Sequence, residues 1–197
     1  MTVELQAKPV RAFVAIPLPD SVRNGLALAQ GELRELLPPR SVAWTKPDNM
    51  HLTLRFLGAV DPERIPEVSQ RLQAALAGFG GIELICERLG CFPDLRFPRV
   101  VWAWIHDAEG RLAQLYLRVD AAVEEIAIKP AEKRFVGHVT LGRPKQIKRK
   151  EAEQISSFVE AAVGRRFGGW RCEIVRLIRS DLTPGGSCYT TLDEFRL

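Results

Sequence analysis

The sequence says one short thing twice. "HLTLRF" at 51–56 and "HVTL" at 138–141 each place a threonine two residues after a histidine, with apolar residues in alternation. Each is followed by a helix-period stretch, one ending near Phe79 and the other near Val163, and then by a strand-like segment. The intervals agree: His51 to Cys86 spans 35 positions and His138 to Cys172 spans 34. A strand–helix–strand unit that recurs restricts the chain to folds built from two similar halves. Repeat units are therefore expected to begin near residues 51 and 138, within one bilobal domain covering residues 1–197.

The remaining elements follow from periodicity. "VRAFVAIPL" (10–18) is a short apolar run ending at prolines and reads as a buried strand. A helix is predicted from Asp20, with Val22, Leu26, Leu33 and Leu36 on one face, stopping at Pro38-Pro39. "SVAWTKP" and "HLTLRFLG" are strand-like. Val68, Leu72, Leu76 and Phe79 mark a second helix, and Leu112, Leu115, Val119, Val123 and Ile126 a third. Ile155, Phe158 and Val159 mark a fourth. "IELICERLGCF", "RVVWAWIH", "RFVGHVTLGR", "WRCEIVRLIRS" and "SCYTTLDEFRL" are each expected to form one strand. Hairpin-like strand pairs favour antiparallel pairing, so the fold class is α+β.

Composition narrows the setting. The 197 residues are 46% hydrophobic and 26% charged, which supplies material for a substantial core. No apolar run approaches the ~20 residues of a membrane helix, and the N-terminus lacks the three-part pattern of a signal peptide. A cytoplasmic location is expected, as is a monomer. The four cysteines form no CxxC pair and read as ordinary reduced residues. The net charge of +4 suits an anionic ligand.

Strand alternation gives the HxT pairs their chemistry. Residues two apart on a strand share a face and lie about 7 Å from each other. His51, Thr53 and Arg55 are thus predicted on one face, with Leu52, Leu54 and Phe56 on the other. His138 and Thr140 likewise share a face. Two such strands would bring two imidazoles and two hydroxyls around one phosphate-sized anion. A neutral histidine can take a proton from water while a protonated one gives a proton to a leaving oxygen. Threonine hydroxyls can stabilise the charge on non-bridging oxygens. A lone histidine on a strand is ordinarily a half-buried structural residue. Here, though, two of the three histidines carry threonine at the same offset, at equivalent places in a repeat. A metal site is the rival reading, but each HxT offers one good ligand and no acidic neighbour. The third histidine, His106, reads as an exposed loop residue.

The two motifs resemble those of the 2H phosphoesterase superfamily, and more closely the bacterial RNA 2′,3′-cyclic phosphodiesterases, also called 2′-5′ RNA ligases. "RAFVAIPLP", "CFP", "PRVVW" and "GGSCY" resemble further segments of that family. The resemblance implies two pseudo-symmetric lobes of antiparallel sheet, helices outside and an active-site groove between. It implies hydrolysis of a 2′,3′-cyclic phosphate at an RNA end to a 2′-phosphomonoester, without metal, ATP or other cofactor. The reverse reaction with a 5′-hydroxyl end would form a 2′-5′ linkage. His51 and His138 would be the acid–base pair, with His138 as acid to the 3′-oxygen and His51 as base. Thr53 and Thr140 would hold the phosphate, joined by Arg143. Phe13 and Trp44 could stack on a terminal base. tRNA fragments and nucleoside 2′,3′-cyclic phosphates are candidate substrates. Lys129, Lys133, Arg134, Arg143, Lys145, Lys148, Arg149 and Lys150 surround the second motif and could track an RNA backbone. One departure is Gly137, where the family often has proline. Two alternatives stay open: a non-catalytic RNA-end-binding module, and a phosphodiesterase for another small cyclic ester.

Overall fold

The computed structural model describes residues 8–128, 130 and 135–197. Among them the chain forms four α-helices and nine strands. Strand β1 (Val10–Pro17) leads through Pro19 into helix α1 (Asp20–Leu36), whose first turn carries Asp20 where a carboxylate suits the positive end of the helix dipole. Prolines 38 and 39 stop it, as expected. Its buried face is Val22, Leu26, Ala29 and Leu33. Strand β2 (Val42–Trp44) is short, and β3 (His51–Val60) carries the first motif. Helix α2 (Ile65–Leu76) buries Val68, Leu72 and Leu76. Strands β4 (Ile82–Phe92) and β5 (Val100–His106) form a hairpin.

Helix α3 (Arg111–Val123) follows. Its free amide ends are met by the Asp107 carboxylate, which accepts from the N–H groups of Arg111 at 2.6 Å and Leu112 at 3.2 Å. Strand β6 (His138–Pro144) carries the second motif, and helix α4 (Arg149–Ala161) buries Ile155 and Val159. Strands β7 (Arg166–Cys172), β8 (Ile174–Thr183) and β9 (Gly186–Arg196) complete the chain. No helix among the described residues is long and apolar enough to cross a membrane.

The strands make one antiparallel sheet in the order β7-β4-β5-β6-β3-β1-β8-β9, with β2 added on β6. The two motif strands therefore lie side by side at its middle. Strands β5 and β4 flank β6 as β1 and β8 flank β3, so the sheet has two similar halves. The segment "WRCEIVRLIRS", expected as one strand, is two strands separated by Glu173. One pairs with β4 and the other with β1, toward opposite ends of the order. Strand β7 at one end of the sheet and β8, second from the other, are one residue apart in the chain, which requires the sheet to curl round. Sheet position also makes β8, not β7, the counterpart of β4, so Cys86 and Cys172 are not equivalent residues.

One continuous core joins the helices to one face of the sheet, through Val14, Ile16, Leu52, Leu54, Val139 and Leu141 among others. The opposite face of β1 bears a separate small cluster of Phe13, Ala15 and Ile178, with Tyr189 against it. The face of the sheet opposite this core is thus where the motif histidines can lie. Cys86, Cys91 and Cys172 are buried free thiols, and burial raises their pKa values to about 12, 12 and 11.

Candidate active site

Strands β3 and β6 pair at Leu52 and Val139. Continuing that antiparallel register one residue each way sets His51 opposite Thr140 and Thr53 opposite His138. Each histidine thus faces the other motif's threonine, and all four side chains share a face. Beyond this point the edge of β6 passes to β2, which pairs with residues 142–144, so β3 and β6 diverge.

Immediately after each threonine the strand carries one extra residue. On β3, Thr53 pairs with Ala15 but Arg55 pairs with the next residue, Val14, leaving Leu54 as the bulge. On β6, Thr140 pairs with Trp102 but Gly142 pairs with Val101, leaving Leu141 as the bulge. A bulge reverses which residues face which side. Simple alternation places Arg55 in one row with His51 and Thr53; the bulge turns it toward α3, where its Nε donates to Asp120 Oδ1 at 2.5 Å, although it still contributes to the lining of the cavity that Thr53 lines. Phe56 takes the groove side, with its ring 5.8 Å from that of Phe13. In the second motif Arg143 gains the groove side in the same way. Phe56 and Arg143 are both five residues after their histidine. Gln30 of α1 holds the second bulge, its Nε2 donating to Leu141 O and to Thr45 O, each at 2.8 Å.

The two imidazoles are held alike. His51 Nδ1 lies 2.7 Å from the Asn49 carbonyl, and His138 Nδ1 lies 2.7 Å from the Val136 carbonyl. A carbonyl only accepts, so Nδ1 carries the hydrogen in both rings and Nε2 is left for chemistry. Their walls differ. Phe13 stacks on His51 at 4.8 Å and Tyr189 meets it edge-on at 5.4 Å. Phe92 and Trp102 flank His138 at 5.1 and 6.2 Å. Burial pushes the His51 pKa down from 6.5 to about 4; the Asn49 carbonyl opposes this and the neighbouring His138 adds to it.

Thr53, His138, Thr140 and Arg143 line a cavity of about 520 Å³ walled by Phe56 and Phe92. Two expected base-stacking residues are placed otherwise. Phe13 is 2% exposed and its face is taken by His51, so it supports the imidazole and offers no surface to a base. Trp44 pairs with Gly142 on the helix side, 5.4 Å from the Arg34 guanidinium, and packs on the main core. His106, expected in an exposed loop, ends β5 half-buried, stacked on Trp104 at 4.2 Å, with Nε2 3.3 Å from Glu87. Lys129, Lys133 and Arg134 lie outside the described residues.

The family model described as LigT-like phosphoesterase matches residues 16–102 and 105–189, each stretch containing one HxT motif. The chain belongs to this family. RNA 2′,3′-cyclic phosphodiesterases of Methanothermobacter thermautotrophicus and Archaeoglobus fulgidus are 31% and 33% identical to it. The alignments cover 95% and 94% of this chain and 99% of each relative. A solved Thermus thermophilus structure superposes with a TM-score of 0.77 at 32% identity, covering 95% of this chain and 97% of that one. Escherichia coli LigT complexed with 3′-AMP gives 0.74 at 25% identity, covering 96% and 98%.

As a LigT-like phosphoesterase the chain departs from the pattern at Gly137, and the packing gives a reason. Gly137 O accepts from Ile105 N at 2.9 Å, and a Cβ on Gly137 would sit 2.4 Å from the Ile105 carbonyl oxygen. Only glycine fits this approach to the second motif. Gly90 has a similar duty, since a Cβ there would lie 2.3 Å from the Trp102 ring beside His138. The segments "CFP", "PRVVW" and "GGSCY" carry Phe92, Trp102 and Tyr189, whose places beside the histidines no spacing in the sequence marks. Each comes from a strand remote in sequence from the histidine it flanks.

Proposed function

We propose that this LigT-like phosphoesterase hydrolyses 2′,3′-cyclic phosphate ends of RNA to 2′-phosphomonoesters by two-histidine acid–base catalysis. The observation that carries the reading is the matched tethering of the two rings, Nδ1 to a carbonyl two residues back in each case. Binding alone needs no such pair of proton carriers with equivalent free Nε2 atoms.

His51, neutral because burial disfavours its charge, accepts a proton from water at Nε2 as the oxygen bonds to phosphorus. The P–O3′ bond breaks opposite, and His138 Nε2–H delivers its proton to the departing 3′-oxygen. His51 ends protonated and His138 neutral, and exchange with solvent restores both. Thr53, Thr140 and Arg143 donate to the non-bridging oxygens, where charge accumulates. With a 5′-hydroxyl RNA end in place of water, the same sequence, His51 taking the proton of the attacking 5′-oxygen and His138 protonating the departing 3′-oxygen, forms a 2′-5′ linkage. The named activity of the relatives and the 3′-AMP complex of Escherichia coli LigT agree with a nucleotide phosphate in this cavity.

His51→Ala and His138→Ala test the assignment. Each is expected to lower kcat on a nucleoside 2′,3′-cyclic phosphate by roughly 10²–10⁴, with a wild-type circular dichroism spectrum. Near-normal turnover by either variant would refute the paired mechanism.

A further inference from the structure

A cavity larger than the one at the motif residues lies elsewhere in the described molecule. A cleft of about 840 Å³ lies between helix α4 and the loop joining β4 to β5. Arg96, Phe97, Arg99, Lys145, Lys148 and Arg149 line it. Only two carboxylates, Glu153 and Glu160, face it, against five cations. Some arginines elsewhere are neutralised by neighbours, as Arg71 is by Glu67 and Glu125 and Arg171 by Glu83 and Glu173. Others, such as Arg34, Arg40 and Arg118, also have no ion-pair partner among the described residues, so what marks the cleft is five cations gathered in one concavity. In the cleft Arg149 is paired, to Glu153, whereas Arg96, Arg99, Lys145 and Lys148 have no ion-pair partner among the described residues. Concentrated, uncompensated positive charge in a concavity attracts a polyanion.

The loop that walls the cleft is held in place by hydrogen bonds and begins and ends at residues of the catalytic cavity. The loop leaves and returns at Phe92 and Val100, both of which line the catalytic cavity, and Arg99 N donates to Phe92 O at 2.7 Å. Asp94 Oδ1 accepts from the N–H groups of Arg96 and Phe97 at 2.8 and 3.0 Å, and Ser156 of α4 donates to Leu95 O at 2.6 Å. On the other wall Arg143 faces the catalytic cavity, and Lys145, two residues on, faces the cleft. Phe97, 71% exposed, offers an aromatic face at the loop tip. Cations along a groove with an exposed aromatic among them are the chemistry that holds single-stranded nucleic acid.

We infer that this cleft is the bed for the RNA strand leading up to the reacting end, so that the substrate is an oligonucleotide in preference to a mononucleotide. The inference rests on the function proposed above. Two of its cations, Arg96 and Arg99, belong to a loop far in sequence from the basic run around the second motif. Lys150 of that run lies outside the cleft lining. The strand's phosphates meet the cations, a base stacks on Phe97, and the terminal cyclic phosphate reaches Arg143 and the histidines.

The test uses the double variant Arg96→Gln/Lys148→Gln and the single variant Phe97→Ala in the full chain. Binding is read by anisotropy of a fluorescein-labelled single-stranded RNA of about ten nucleotides ending in a 2′-phosphate. Turnover is read on the same RNA with a cyclic end and on cytidine 2′,3′-cyclic phosphate. The double variant is expected to flatten the slope of log affinity against log salt by about 1.4, at ~0.7 per lost phosphate contact. It is expected to lower kcat/KM about 10-fold on the RNA and leave the mononucleotide unchanged. Phe97→Ala is expected to weaken RNA binding roughly 10-fold with the wild-type salt slope. A double variant with wild-type salt slope, or with equal losses on both substrates, overturns the inference. Wild-type protein that opens neither cyclic phosphate, while the variants still change RNA binding as stated, overturns the catalytic reading and leaves the cleft assignment standing.

Discussion

At the scale of single residues, the two histidines share a tether and differ in surroundings. His51 lies against Phe13 and Tyr189, and burial lowers its pKa to about 4. A histidine is a base only when neutral, so lowering its pKa keeps it a proton acceptor through the neutral range. The acid limb of kcat/KM, which reports the free enzyme, is therefore expected to fall as pH drops through about 4. The limb of kcat should lie higher, because a bound anion favours the imidazolium. Phe13→Ala admits water to the ring and should move the acid limb of kcat/KM upward, toward 6.5. An acid limb unmoved by that substitution would show that burial by Phe13 does not set the basicity of His51. The grouping of the histidines and threonines was legible because two of the three histidines carry threonine at the same offset, at equivalent places in a repeat. Phe13 was legible only as an aromatic on the first strand, since its partnership with His51 depends on pairing between distant segments. The carbonyls of Asn49 and Val136 leave no side-chain signature.

At the scale of elements, the bulge after each threonine decides what shares the groove. Alternation predicted Arg55 in one row with the motif; the extra residue at Leu54 turns Arg55 toward Asp120 at the cavity wall and brings Phe56 forward. No residue type marks either bulge, so alternation described the strands as far as the threonines and did not place Phe56 in the groove. The helices were legible because their apolar stripes are long; prolines or glycines mark the ends of α1, α2 and α4, while α3 stops at Val123 without either, short of the expected Ile126. The division at Glu173 was not, because "WRCEIVRLIRS" holds no turn residue at the point where the chain changes partners. Gly137 sets the approach to the second motif through its contact with the Ile105 carbonyl. Gly137→Ala is expected to destabilise the protein by about 1–3 kcal/mol through overpacking. It should also lower turnover, since misplacing a catalytic group by ~1 Å can cost up to about 10²-fold. Thermal unfolding and kcat measured on one preparation check this; wild-type values for both would show that the site tolerates a Cβ.

At the scale of the molecule, the sheet order explains why duplication yields one site. Each half alone supplies one imidazole and one hydroxyl; setting β3 beside β6 makes the four groups neighbours. The repeat in the sequence announced that arrangement, although the strands carrying Cys86 and Cys172 were matched wrongly. The basic cleft was only half legible, because its two walls come from residues 95–99 and 145–160, which folding alone brings together. The most direct measurement of the central claim is phosphorus NMR of a short RNA with a 2′,3′-cyclic phosphate end, incubated with chelator-treated protein. The account predicts conversion of the cyclic signal to a 2′-phosphomonoester alone, abolished by His138→Ala. A cyclic end left intact by the wild-type protein, or opened to a 3′-phosphomonoester, would contradict it.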